Sequence, residues 1–362
     1  MVFNTMITRE KYRKTKELQV MNDWYGYKKG VNLGGWLSQC CHEKNHYDSF
    51  IQEQDIEVIA SWGADHVRLP LDYVLIQDEE GSFKTEGFSY IDRCIKWCEA
   101  NGLNIILDLH KTKGFSFDTN EKQFGFFEQE ELQNRFYTLW EKLATLYGKY
   151  KGMVAFELLN EITDIKYAEL WNSIAMQAIR RIRTIATDTY ILVGGVWNNS
   201  IEALEILDFP YDEKIVYNFH YYEPLVFTHQ KAYWIDTMSP EFTIDYPASI
   251  QEYIKGSKEN LPQDNITSLE QYDRPIMDYH FIKEKIMIAV NISKKRNVRI
   301  YCGEYGVINR VDPKKALRWY QDIHNIFETY QIGRAMWSYK EMDFGIIDES
   351  RSEIQSDLIL LL

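Results

Sequence analysis

The sequence predicts an α/β chain folded as one (β/α)8 TIM barrel, with a lid or small subdomain inserted after the sixth strand. Three observations carry that expectation. Short, nearly continuous apolar runs alternate with amphipathic helical patterns over about 330 residues, as parallel strands buried on both faces require. Glycines close several of the helical patterns, at Gly63, Gly102 and Gly148. No phosphate-cradling glycine fingerprint follows the first strand, because Gly30-Val31-Asn32-Leu33-Gly34-Gly35 has the wrong spacing. A closed barrel therefore fits better than an open doubly wound sheet.

Taken in order, residues 1–28 form a mixed, charged N-terminal extension (Arg9, Lys11, Arg13, Lys14, Lys16), and residues 29–362 form the barrel domain. The strands are expected at Gly30–Gly34, Ala64–Leu71, Leu103–His110, Met153–Glu161, Tyr190–Val196, Lys214–Tyr222, Val298–Glu304 and Ile332–Tyr339. The clear helices are Phe50–Trp62, Tyr90–Ala100, Glu131–Tyr147, Ala168–Ala186 and Lys315–Tyr330. In the third of these, Leu132, Phe136, Leu139, Leu143 and Leu146 recur at helical spacing. One repeat is oversized. Residues from Glu223 to about Tyr279, rich in Tyr, Pro and polar side chains, precede the helix His280–Lys294 and are too long for a plain βα loop. Because this stretch follows a strand end, it is expected on the catalytic face as a lid; otherwise it is only a decorative insertion.

Composition bounds the partners. The 362 residues are 45% hydrophobic and 15% aromatic, enough for a large packed core, and the net charge is −13. An acidic surface disfavours nucleic acid and anionic membranes and suits a neutral substrate. Part of the aromatic content, which includes 10 Trp and 25 Tyr, is available to stack on the apolar faces of sugar rings. The five cysteines are odd in number and lack metal-type spacing, so a disulfide framework is not expected. Cys94 and Cys98 share a helix face with Ile91 and Ile95. Cys302, at the same strand parity as Glu304, is expected to face the barrel interior one layer below it; Cys40-Cys41 lies in a loop without an assigned role. There is no membrane-length apolar run and no signal-peptide core, which leaves a cytoplasmic protein or the processed part of an exported one. A monomer is expected.

Chemistry collects at the carboxyl ends of barrel strands. Those ends hold Asn32 and, just beyond, Trp36; then Arg68, His110, Asn160 with Glu161, His220 with Tyr222, Glu304, and Trp337. A lone Arg or His at a strand end is more often structural, but a whole rim of polar residues is hard to assign to packing. Two glutamates at the ends of two core strands point to acid/base plus nucleophile chemistry on a glycosidic bond. Glu157 and Asp108 are expected to be buried and structural, braced by Arg68 or His66, since buried carboxylates need partners. His42, His46, His229 and His324 read as surface or supporting residues. No His-x-His pair stands on an early strand, so the sequence asks for neither a metal nor another cofactor.

The blocks Asp108-Leu109-His110, Leu158-Leu159-Asn160-Glu161, Phe219-His220-Tyr221-Tyr222-Glu223-Pro224, Cys302-Gly303-Glu304-Tyr305-Gly306 and Met336-Trp337-Ser338-Tyr339 resemble those of glycoside hydrolase family 5 from about Lys29 to Asp348. Gly30–Trp36, Phe227-Thr228-His229-Gln230-Lys231-Ala232 and Trp337–Phe344 are similar to its clostridial cellulase C-type endoglucanases, which also carry a subdomain after the sixth strand. One departure is Lys111-Thr112-Lys113-Gly114, where the family often has a second His and a Pro. The resemblance implies a retaining endo-β-1,4-glucanase acting on cellulose-type or mixed-linkage β-glucan. Glu161 is then the general acid/base and Glu304 the nucleophile, with Arg68 and Tyr222 holding Glu304 ionised and His220 tuning Glu161. Asn160 is expected on the sugar 2-hydroxyl, His110 on another hydroxyl of that sugar, and Trp337 beneath it. Asn32 and Trp36 are expected at the next sugars on the non-reducing side. Xyloglucan, mannan and β-1,3-glucan are the rival substrates. A non-catalytic glycan-binding barrel is the rival class, disfavoured because a binder has no need of the glutamate pair.

Overall fold

Eight parallel strands close on themselves in a computed structural model that describes residues 24–118, 121–262 and 267–362. They are β1 (Lys29–Asn32), β2 (His66–Asp72), β3 (Asn104–Lys111), β4 (Val154–Glu157), β5 (Ile191–Gly194), β6 (Ile215–Tyr221), β7 (Arg299–Tyr305) and β8 (Gly333–Met336). Each pairs with its neighbour in chain order, and β8 pairs with β1, so no sheet edge is left open. All eight fall within or across the expected segments. Helices Glu53–Ser61, Thr85–Ala100, Glu130–Tyr147, Ala168–Arg183, Tyr279–Arg296 and Pro313–Tyr330 wrap the outside. The return from β5 to β6 has only short turns at Val196–Asn199 and Glu202–Glu205.

Alternation along the strands sorts the side chains. On β3, Ile105, Leu107 and Leu109 pack outward among the helices. Ile106 joins a separate cluster with Trp24, Tyr27, Ala155, Leu192, Val216, Tyr301 and Ala335, an apolar floor inside the barrel. Above that floor the interior turns polar, with Asn32, Arg68, Asp108, Glu157 and Asn218 all fully buried. An apolar floor under a polar layer excludes water from below and leaves the carboxyl-end mouth as the place where chemistry can occur.

Three expectations are corrected. The strand expected to run to Glu161 ends at Glu157, and Glu161 follows in a loop with φ +40°. The N-terminal extension, called as residues 1–28, falls for residues 1–23 outside the described residues. Trp24 and Tyr27 belong to the barrel floor, where the Tyr27 hydroxyl donates to the Met153 carbonyl at 2.7 Å. Cys302 does not face the interior; it belongs to the large outer cluster between strands and helices, while its neighbour Tyr301 joins the floor inside the barrel. Strand parity failed there because the β6–β7 register shifts between Cys302 and Glu304. Gly303 makes the shift possible: a Cβ on it would lie 2.7 Å from the Asn218 amide oxygen.

The stretch after β6 is a small subdomain of helices Leu225–Thr228, Ile250–Asn260 and Thr267–Glu270 with a two-stranded antiparallel ribbon, Ala248–Ser249 against Ile276–Met277. Ser249 caps the middle helix in a capping box with Glu252. The subdomain is tied to the barrel where the Ile308 amide donates to the Thr228 carbonyl and the Tyr246 hydroxyl donates to Asp322. Among the described residues no helix is long and apolar enough to cross a membrane.

Candidate active site

Arg68, on β2, is the hub. Its Nε and Nη2 form a fork onto the two oxygens of Glu157 at 2.7 and 2.8 Å. Nη1 donates to Glu304 Oε1 at 2.7 Å and to Asn32 Oδ1 at 2.9 Å; Nη2 also reaches Asn160 Oδ1 and Asp108 Oδ2, each at 2.9 Å. Only a planar guanidinium with five donors serves so many acceptors at once. Burial opposes its charge, but Asp108, Glu157 and Glu304 more than offset that and keep it cationic. The anions pay the same desolvation. Burial raises Glu157, and pushes Asp108 up to about 7 despite Arg68. Glu157 and Asp108 are thus braced as expected, by Arg68 and not by His66, which bonds Asp65 and Tyr301 instead.

Glu304, on β7, and Glu161, in the loop after β4, converge above this hub. The Tyr222 hydroxyl donates to Glu304 Oε2 at 3.0 Å, opposite the Arg68 contact, so both oxygens of Glu304 are held. Glu161 Oε1 lies 2.7 Å from His220 Nδ1, which is itself 3.5 Å from Glu304 Oε2. Burial raises Glu161 above the usual carboxylate range and lowers His220 to about 4, so the imidazole is neutral at working pH. One ligand atom each of Glu161, His220 and Glu304 lie within 4.8 Å of one another. That trio is the one group among the described residues with metal-ligand spacing.

His110 Nδ1 bonds Asp108 Oδ2 at 2.6 Å, and its ring lies parallel to that of Trp337, 3° off at 5.8 Å. Burial lowers His110 to about 4. The Asn160 carbonyl oxygen is engaged by Arg68, which fixes the orientation of its amide. His229 packs edge-on to Tyr222 at 5.1 Å and against Phe344 at 5.2 Å, so it steadies Tyr222.

Two expected sugar contacts are not available. Asn32 is fully buried, and its Nδ2 donates to the carbonyls of Gly303 and Ala335 while its Oδ1 accepts from Arg68. Trp36 is also fully buried, stacked on Trp97, with its indole N–H on the Tyr47 carbonyl. Both brace the barrel and offer no face to a ligand. In the departing loop, Lys111 pairs with Glu121 and Lys113 with Glu79, so neither cation stands free over the cleft.

Two kinds of residue were missed. Asn218 donates to Glu157 Oε1 at 2.8 Å and accepts from the Gly303 amide, and its parity with His220 on β6 was the available signal. Asn198 donates to Glu161 Oε2 at 3.1 Å from the loop after β5. No strand-end residue was expected there, because the run ends in small and apolar residues.

A closed parallel barrel with two such glutamates facing each other at its carboxyl end belongs to the class of (β/α)8 glycoside hydrolases. The model of the cellulase family, glycosyl hydrolase family 5, matches residues 26–343, and the chain is a member of glycoside hydrolase family 5. Cellodextrinase A of Ruminococcus flavefaciens is 41% identical over 309 residues, 85% of this chain and 84% of that protein. Endoglucanase C of Acetivibrio thermocellus is 37% identical over 343 residues, 93% of this chain and 98% of that one. Among solved structures, endoglucanase Cel5A of the hyperthermophile Thermotoga maritima superposes with a TM-score of 0.74 at 24% identity, covering 95% of this chain and 99% of that one. The last likeness concerns the fold alone.

Proposed function

We propose that this family 5 glycoside hydrolase is a retaining endo-β-1,4-glucanase acting on cellulose-type or mixed-linkage β-glucan. The observation that carries the mechanism is that one carboxylate oxygen of Glu161 and one of Glu304 lie within 4.8 Å of each other. Retaining enzymes hold their carboxyls about 5–5.5 Å apart, whereas inverting ones leave about 6.5–9.5 Å for a water. Glu304 attacks the anomeric carbon while Glu161 gives its proton to the leaving oxygen. A water then attacks from the vacated side, Glu161 takes its proton, and the Glu304 ester bond breaks. The environments suit the two roles. Both oxygens of Glu304 accept hydrogen bonds, from Arg68 and from Tyr222, which fixes the orientation of the attacking group. Glu161 sits where burial favours its protonated form.

Asn160 is assigned to the 2-hydroxyl, His110 to a second hydroxyl of the same sugar, and Trp337 to the floor below it. Two carboxyls and a water account for every bond made and broken. The endo-acting assignment draws on the endoglucanase relative, and the cellodextrinase relative supports short soluble cellodextrins as a second substrate class. A reducing-sugar screen across carboxymethyl cellulose, mixed-linkage glucan, xyloglucan, mannan, β-1,3-glucan and cellodextrins ranks these. A β-anomer as the first product by proton NMR supports retention, and an α-anomer refutes it.

The subdomain after β6 is assigned to polymer binding. Tyr233 is 76% and Trp234 40% exposed, and Trp234 packs near His229 and Phe344 beside the site. Exposed rings at a cleft edge suit stacking on sugars. Losing one such stack is expected to raise the KM on polysaccharide about 3- to 10-fold for Tyr233→Ala or Trp234→Ala. Hydrolysis of a short aryl glycoside should stay within about twofold of the parent, since such a substrate is bound by the central pocket. Equal loss on both substrates would move the subdomain from binding to support of the barrel.

A further inference from the structure

Beyond β5 the chain turns over the site through Gly195-Val196-Trp197-Asn198-Asn199. Trp197, Asn198 and Asn199 all hold left-handed backbone, at φ 51°, 55° and 56°. A Cβ crowds the following carbonyl in that conformation, so three such residues in a row persist only where the surroundings over-determine them. Asparagine is among the side chains that tolerate it best. The turn is pinned at both ends. The Asn198 amide donates to the carbonyl of Ile162, the residue after Glu161, at 3.0 Å. Asn199 is fully buried, with its side chain against the bare Cα of Gly194, where a Cβ would lie 2.2 Å from its Oδ1.

This turn closes on Glu161 from two sides. Asn198 Nδ2 lies 3.1 Å from Glu161 Oε2, and Asn199 Nδ2 lies 3.4 Å from Nε2 of His220, whose Nδ1 holds Glu161 Oε1. We propose that Asn198 and Asn199 are positioning residues for the acid/base, Asn198 as the donor that receives Glu161 in its ionised form. The inference rests on the assignment of Glu161 as acid/base. An amide N–H can only donate, so it bonds a carboxylate more strongly than a carboxylic acid. It therefore eases release of the proton to the leaving group and keeps the anion aimed at the incoming water. The other charged or titratable groups facing Glu161 are His220 and Tyr222 from the end of β6, Glu304 from β7, Asp108 and His110 from β3, and Arg68 from β2. None of them is altered by the test.

The test is the pH dependence of kcat/KM on an aryl cellobioside, with melting temperatures, for the intact chain and two variants. Asn198→Gly keeps the left-handed turn and removes the donor; Asn198→Asp keeps the shape and turns the donor into an acceptor. The basic limb should move to higher pH by about half a unit in Asn198→Gly and by about one unit or more in Asn198→Asp, because each favours protonated Glu161. The maximum should fall severalfold in both. A basic limb unmoved in both variants overturns the inference, whatever happens to the melting temperature. Glu161→Ala with azide is the control for the underlying assignment. If its azide-rescued activity lacks the basic limb, Glu161 is the group that the limb reports, and only the Asn198 result decides the inference. If the limb persists there, the assignment of Glu161 falls and the inference falls with it.

Discussion

Glu304→Ala loses turnover by a factor on the order of 10^4 or more on every substrate, as expected when the attacking group of a covalent mechanism is removed. Among the described residues no other carboxylate is placed to replace it. Asp108 and Glu157 are fully buried below and engaged by Arg68, and Glu161 is held across the cleft by His220 and Asn198. The loss should extend to substrates with good leaving groups, because attack on the anomeric carbon is needed whatever departs. Glu161→Ala should differ on that point, keeping activity on activated aryl glycosides, where acid assistance matters less. The fold should survive Glu304→Ala. Arg68 keeps Glu157, Asp108, Asn160 and Asn32 as partners, and one negative charge leaves a cluster that holds three carboxylates around one guanidinium. Its melting temperature should stay level or rise, in line with the trade between activity and stability at active sites. Azide should then attack the opposite face and yield a glycosyl azide of inverted configuration. A variant retaining more than a percent of parental turnover would remove Glu304 from the role, as would azide rescue of Glu304→Ala giving the retained product.

Arg68→Met carries the largest expected effect on stability. The side chain is fully buried and is the only cation that contacts Asp108 and Glu157 among the described residues. Removing one partner of a buried ion cluster costs about 3–5 kcal/mol, because the charges left behind keep their desolvation penalty without compensation. In a chain of this size that is a fall in melting temperature on the order of 10 °C at neutral pH. The pH dependence identifies the cause. Burial already raises Glu157, and pushes Asp108 to about 7, with Arg68 present; without it both rise further. A carboxyl whose folded-state pKa lies above its unfolded value binds more protons when folded. Its stability contribution is therefore full below the usual carboxylate range and is lost as pH rises through the folded value. The gap between variant and parent should therefore be narrow near pH 4 and widest near pH 8. Differential scanning calorimetry across that range decides the matter, and a gap independent of pH would mean that lost packing, not uncompensated charge, explains the destabilisation. Arg68→Lys restores a charge but not the fork, so it should recover part of the stability and little of the activity.

Much of this architecture can be read locally. A strand buried on both faces needs continuous apolar residues, and an outer helix needs one apolar stripe, so β3 and the helix Glu130–Tyr147 declare themselves from residue type alone. A barrel brings all its strand ends to one rim, so polar residues spread along the chain, from Arg68 to Trp337, could be grouped before any distance was known. Glu161 and Glu304 were legible for that reason. The tertiary structure decided what depends on partners across the barrel. Parity counting assumes an unbroken pleat, and the register shift at Gly303 turned Cys302 outward while Glu304 remained over Arg68. Asn32 and Trp36 stand beside the rim in sequence, yet neighbours from other strands and helices cover them completely. Asn198 lies in a turn whose left-handed backbone is unfavourable in isolation, and the turn is held by contacts of Asn198 to Ile162 and of Asn199 to Gly194 that no local pattern announces. Residue type sets which groups a strand or helix can bury, but accessibility and hydrogen-bond partnership belong to pairs of residues distant in the chain, and only the closed barrel brings those pairs together.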